Sequence, residues 1–192
     1  MASRFLLLVG ALLLVSHSVR SDDEEERLLT GINSYRAALN LSALTGNDNA
    51  DCLADQIAEE LKHQPCTNTT GANTVPGTED QFPNYPQYLV RCHLNITNTR
   101  DGAIMPVCVP GLASDRVLAN YTQSQYNKFL NDSQFTGAGV ATEDDWIVVV
   151  LSTNTPSGSF VKAETSDSRA AGWRWGLLSL VVASVIITVN WV

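Results

Sequence analysis

The sequence holds little of what enzymes are commonly built from. Histidine occurs three times in 192 residues, as His17, His63 and His93. There is no Gly-x-Ser-x-Gly elbow, no His-Glu-x-x-His pair and no glycine-rich phosphate loop, which removes the familiar hydrolase, zinc-protease and nucleotide-binding signatures. The four cysteines include no Cys-x-x-Cys pair, so a structural zinc site lacks its usual spacing. The adjacent acids Glu59-Glu60 and Asp144-Asp145 point apart in a helix or turn, unlike glycosidase carboxylates held ~5–9 Å across a sugar. Basic residues are scarce, 12 Lys and Arg against 20 Asp and Glu. Such a balance repels nucleic acid and anionic surfaces. These absences predict a non-enzymatic protein with no cofactor, no metal and no nucleic-acid partner.

What is present sits first at the two ends. Met1 to Arg4 supplies one positive charge, Phe5 to Val15 is apolar, and small or polar residues run to Ser21 before an acidic stretch. This is the pattern of a secretory signal peptide, 1–21, too short to be a membrane span. At the other end, Gly176 to Val192 is apolar with no following Lys or Arg. It is preceded by a short spacer and by the small residues Ser166-Asp167-Ser168. Small residues, polar spacer and apolar tail form the signal for replacement by a glycosylphosphatidylinositol (GPI) anchor. The expected lipidation site is Ser166, with Ser168 as the alternative, and 167–192 is the removed propeptide. The expected localisation is the extracellular face of the plasma membrane, held to the outer leaflet through the GPI lipid.

Between these ends lies one domain of ordinary size, expected over 22–152, followed by a Ser/Thr/Pro linker over 153–166. Excising the ends removes Arg4, Arg20, Arg169 and Arg174 against Asp167 alone, taking the net charge from −8 to about −11. Cys52, Cys66, Cys92 and Cys108 all fall in the exported part, where an even count reads as two disulfides. A helix from Cys52 to about Lys62 rises ~15 Å, too far for the four residues to Cys66 to retrace comfortably. Sequential pairing is disfavoured on that ground. Of the two remaining connectivities, Cys66–Cys92 with Cys52–Cys108 is preferred. Five sequons, at Asn40, Asn68, Asn95, Asn120 and Asn131, predict N-glycosylation of an exported chain.

Leu28, Ile32, Tyr35 and Leu39 recur at helical spacing behind an acidic start that suits a helix N-terminus. Asp48 or Asn49 is expected to cap a second helix carrying Leu53, Ile57 and Leu61, with Ala50, Ala54 and Ala58 permitting close packing. Cys66 to Pro110 reads as a long loop pinned by cysteines, with Phe82, Tyr85, Tyr88 and Leu89 as apolar islands and an extended piece at Ile104 to Val109. Ser114 or Asp115 begins a third helix expected to run to Leu130. Gly137 to Ala141 and Trp146 to Leu151 read as strands joined by a turn, the second buried in the sheet.

These stretches carry a resemblance. Asn33-Ser-Tyr-Arg36, Leu44, Leu53-Ala54 and Ala58 resemble the opening of the CAP (cysteine-rich secretory, antigen 5, pathogenesis-related) domain. Asn120-Tyr-Thr-Gln123 with the two following strands resembles its later helix and final strand pair. The whole chain is similar to a plant family of GPI-anchored proteins through Pro65-Cys-Thr-Asn-Thr-Thr-Gly71, Arg100-Asp-Gly-Ala-Ile-Met-Pro106 and Glu143-Asp-Asp-Trp146. The CAP resemblance implies an α+β fold, a three-layer α-β-α sandwich, here disulfide-stabilised. In that family two His and two Glu line a groove able to hold a divalent metal. His63 matches the first His, Asn120 stands where the second would be, and neither Glu can be placed, Glu79 being only a nearby carboxylate. The resulting expectation is a surface glycoprotein that binds a small apolar ligand or a peptide, in a groove lined by the Phe82–Leu89 aromatics. The alternatives are a structural glycoprotein of the membrane–wall interface and, last, a metal-dependent hydrolase.

Overall fold

The structure is a computed structural model that describes residues 23–67, 70–73 and 82–163. The expected signal peptide at 1–21, Asn68, Glu79, Ser166, Ser168 and the C-terminal apolar stretch lie outside the described residues.

Four strands make one sheet in the order β1-β3-β4-β2. Strand β4 (Trp146–Thr153) is buried along its whole length, as its unbroken apolar run predicts. It pairs antiparallel with β3 (Phe135–Glu143) on one side and with β2 (Ala103–Cys108) on the other. The two-residue β1 (Thr45–Gly46) adds a parallel rung at Gly137 and Ala138. Alternation along β4 divides the core. Ile147, Val149 and Leu151 pack with Leu28 and Ile32 of α1 (23–38), Val117 and Tyr121 of α5 (Ser114–Thr122) and Leu130 of α6 (Asn127–Leu130). Trp146, Val148 and Val150 face α2 (Asp48–Leu61) and α3 (Tyr85–Arg91). The architecture is therefore α+β in three layers, helices on both faces of the sheet.

Helix α2 is capped by Asn47, one residue earlier than expected. Its extended backbone (φ −133°) lets the side-chain oxygen accept from the N–H groups of Asn49 and Ala50, both at 3.1 Å. The expected single helix from Ser114 to Leu130 is split in two. Thr122 ends α5, and the Asn127 amide turns back to donate to the Thr122 carbonyl at 2.6 Å, satisfying an acceptor the helix end leaves open. Leu39 lies past the end of α1 and is 43 % exposed, so it leaves the apolar face. The stretch read as loop contains α3 and a four-residue helix α4 (Ile96–Thr99), the latter started by an Asn95–Asn98 capping box.

The disulfides correct the preferred pairing: Cys52 joins Cys92, and Cys66 joins Cys108. Helix α3, unseen in the sequence, delivers Cys92 at its C-cap beside the middle of α2, while β2 carries Cys108 to the loop after α2. The linker expected from residue 153 also begins later. Thr153 ends β4, and Phe160 is 1 % exposed inside the α2 layer. The segment is held by bonds from Phe160 N–H to the Asn98 carbonyl (3.1 Å) and from Ala163 N–H to the His93 carbonyl (2.7 Å). A buried aromatic inside a Ser/Thr/Pro stretch makes it part of the domain.

Candidate functional site

The residues that carry the sequence resemblance are placed as clamps. Asn33 on α1 donates to the Leu44 carbonyl (3.0 Å) and accepts from the Leu44 N–H (2.7 Å), closing the connection between the first two helices. Arg36, one turn later, is 1 % exposed. Its guanidinium donates to the carbonyls of Ser42, Leu130, Asp132 and Phe135 at 2.8–3.1 Å. Burial pushes this group below its ordinary value, and the Asp132 charge works against that push. Tyr121 on α5 is fully buried, its hydroxyl 3.0 Å from the carbonyls of both Met105 and Ile147. Desolvation drives its pKa well above the ordinary value.

The expected cleft residues are not brought together. His63 is exposed, just past the C-cap of α2, and lines none of the three cavities described below. Asn120 is half-buried on α5 and donates to the Arg116 carbonyl at 2.8 Å. Among the described residues no group of three or more His, Cys, Asp or Glu is placed to hold a metal ion. The acidic pairs have local partners. Glu59 meets Lys62 at 2.6 Å, Glu60 accepts from Asn84, and Asp145 accepts from Gly111 N–H in the β3–β4 turn.

Two carboxylates close the sheet where β1 stops. Beyond the Gly46–Ala138 rung, Asp51 of α2 accepts from Val140 N–H at 2.7 Å. Glu25 of α1 accepts from Thr142 N–H at 2.9 Å. These bonds satisfy strand donors that would otherwise offer an open edge. Burial raises the Asp51 pKa, the Val140 bond opposes the rise and Asp48 adds to it. Glu143 is likewise raised, first by burial, with Lys62 opposing. A carboxyl raised in the native state favours folding while protonated, and that contribution is lost as pH climbs through the raised value. The thermal midpoint should therefore fall modestly as pH rises above the ordinary carboxylate range. Asp51→Asn keeps an acceptor for Val140 and should flatten part of that slope in melts recorded across the range.

Among the described residues, hollows of about 300 to 330 Å³ lie at three places on the surface. The first lies between α1 and α5, and the second holds Asn120 and Arg116 beside the Cys66–Cys108 bridge. The third runs along the outer edge of β2 and is walled by Leu61, Phe82, Ile104, Tyr126, Phe129 and Trp146, with Gln125 and Lys128 also lining it. Pro106 suits this edge, since it has no N–H to give to a ladder, and its carbonyl accepts from the Tyr126 hydroxyl at 2.9 Å. Of the aromatics expected in the groove, only Phe82 lines it. Tyr88 and Leu89 are buried in the core and Tyr85 packs against that layer. Tyr126, Phe129 and Trp146 were missed because each lies on an apolar stripe that reads as core. Among the sequons, Asn40, Asn95 and Asn131 are exposed. Asn131 accepts from the Tyr35 hydroxyl at 3.0 Å.

Residues 25–151 match the family described as "Uncharacterized GPI-anchored protein At5g19230-like domain". A relative from Arabidopsis thaliana, "Uncharacterized GPI-anchored protein At3g06035", is 58 % identical over 173 residues, covering 90 % of this chain and 86 % of the relative. Among solved structures, an extracellular SCP-domain protein of Bacillus anthracis aligns over 68 % of this chain and 40 % of its own, at 17 % identity and a TM-score of 0.49. A cysteine-rich secretory protein of Staphylococcus aureus aligns over 68 % and 39 %, at 12 % identity and a TM-score of 0.49. This chain thus spans about two fifths of those two bacterial chains. Among the described residues no helix is long and apolar enough to cross a membrane.

Proposed function

The chain belongs to this GPI-anchored protein family, and on that premise we propose that it is a non-catalytic binding module held on the outer face of the plasma membrane. In this reading 1–21 is removed on export and the lipid replaces 167–192 at Ser166, or 169–192 where Ser168 is the site. The α1, α5 and α6 side carries N-glycans at Asn40, Asn120 and Asn131. The ligand is a small apolar molecule or an apolar peptide side chain. The observation that supports this most is the hollow along β2. Its volume of about 300 Å³ falls at the lower end for small-molecule sites, and its walls combine aromatic and aliphatic side chains with the polar Gln125 and Lys128. Among the described residues no carboxylate and no histidine line it, and the described walls offer a surface for binding.

Native mass spectrometry of the chain, released from its own host by a phosphatidylinositol-specific phospholipase, tests the reading. The expected spectrum shows an extra mass of roughly a few hundred daltons that organic solvent strips away. Phe82→Ala should reduce cargo retention about tenfold by opening one wall. A bare glycoprotein from several preparations would overturn ligand binding. It would favour the second reading, a structural glycoprotein acting through the glycans on the exposed Asn40 and Asn131.

A further inference from the structure

The last described residues leave the domain from a surface unlike the rest of it. Among the described residues four large apolar side chains are notably exposed, and three lie here: Val90 at the end of α3 (73 %), Ile96 on α4 (56 %) and Val161 (58 %). They are tied into one patch by backbone and side-chain bonds. His93 N–H donates to the Val90 carbonyl at 3.1 Å, Ala163 N–H to the His93 carbonyl at 2.7 Å, and the Asn98 amide to the Val161 carbonyl. The charges in this patch are also reversed. Residues 82–100 and 160–163 contain no Asp or Glu, but they hold Arg91, Arg100 and Lys162, all exposed, in a chain of net charge −8. Of the two adjoining acids, Asp101 is turned onto the hydroxyls of Ser157 and Thr155, and Glu164 follows Ala163 outside the described residues.

The tether points the same way. Phe160 is buried and Ala163 is held by its bond to the His93 carbonyl, so the chain is fixed to the domain as far as residue 163. Two residues, Glu164 and Thr165, separate Ala163 from Ser166, an extended reach of ~10 Å, against a domain some ~30 Å across. A face this close to the lipid attachment point, carrying cations and isolated aliphatics, matches the chemistry of the headgroup layer. There Lys and Arg meet phosphate, and aliphatic side chains enter the acyl boundary.

We propose that the face formed by the end of α3, α4 and residues 161–163 seats directly on the phospholipid headgroups of the outer leaflet. The proposal rests on the lipid anchor argued above. It fixes the orientation of the domain, with α3, α4 and residues 161–163 down and the α1, α5 and α6 layer outward. It also sets Asn95 apart from the other exposed sequons. Asn95 lies in this face, and a glycan on it would hold Ile96 off the bilayer, so Asn95 stays bare.

The mature chain has three lysines, Lys62, Lys128 and Lys162, which provide an internal control. Lys128 is exposed on α6 and Lys162 lies in the proposed contact. The anchored protein is placed in phosphatidylcholine vesicles and treated with a membrane-impermeant amine-reactive ester, before and after phospholipase release. The expected result is that release speeds labelling of Lys162 roughly fivefold or more while Lys128 is unchanged. Glycopeptide mapping of the same material should find Asn95 unoccupied. A chain that the phospholipase leaves on the vesicle overturns the anchor and this proposal with it. A chain that is released, but with Lys162 labelled equally before and after, overturns the seating alone, as does a glycan on Asn95.

Discussion

Gly139→Ala is expected to lower stability by about 3 kcal/mol or more and to leave little folded protein in the secreted fraction. A Cβ at this position of β3 would lie 2.1 Å from the Ala50 carbonyl carbon and 2.1 Å from the Asp51 nitrogen. Both obstacles are backbone in the first turn of α2, and no rotamer change removes them. The helix would have to lift from the sheet, which breaks the Asp51 bond to Val140 and loosens the layer beneath Ala50, Ala54 and Ile57, each fully buried. Gly46→Ala is the matched control. A Cβ there meets nothing within 4 Å and its backbone is not left-handed, so its thermal midpoint should stay within a degree or two of the parent.

Arg36→Ala is the second large effect, about 3 to 5 kcal/mol. The side chain reaches out from α1 and satisfies four carbonyls, of Ser42 in the following loop, Leu130 and Asp132 around the end of α6, and Phe135 at the start of β3. Removing it leaves acceptors buried without donors and a cavity the size of a guanidinium. Arg36→Lys should recover only part of the loss, since an ammonium keeps the charge but cannot spread donors over four carbonyls. Chemical denaturation would rank the three proteins parent, Lys, Ala. Equal stability of Lys and parent would mean that charge alone accounts for the site.

Both positions bear on what could be read from the chain in advance. The layers were legible because β4 is an unbroken apolar run and because Leu28, Ile32, Leu53 and Ile57 keep helical spacing. The resemblance in Asn33, Arg36 and Tyr121 was legible too, and the structure explains why it speaks of fold rather than chemistry. All three satisfy backbone groups, and none lines the hollow along β2. Short elements escaped notice for a different reason. Helix α3 opens with Tyr85-Pro86 inside a Pro- and Asn-rich stretch, and β1 is two residues held by its partner strand; local propensity signals neither. The disulfide pairing failed with α3, since only that helix places Cys92 against α2. The hollow itself was hardest to see, because Leu61, Ile104, Phe129 and Trp146 come together from four separate elements.

The two disulfides interleave along the chain, Cys52 to Cys92 and Cys66 to Cys108. A single proteolytic cut anywhere between Cys52 and Cys108 leaves its two fragments joined by at least one bridge. A cut between Cys66 and Cys92 leaves them joined by both. Sequential bridges would have parted there at once. For a protein facing the proteases of an extracellular space, this crossing means that one nick in the long irregular region sheds nothing from the surface. The N-terminal part stays attached to the part that follows the cut, until a reductant acts as well.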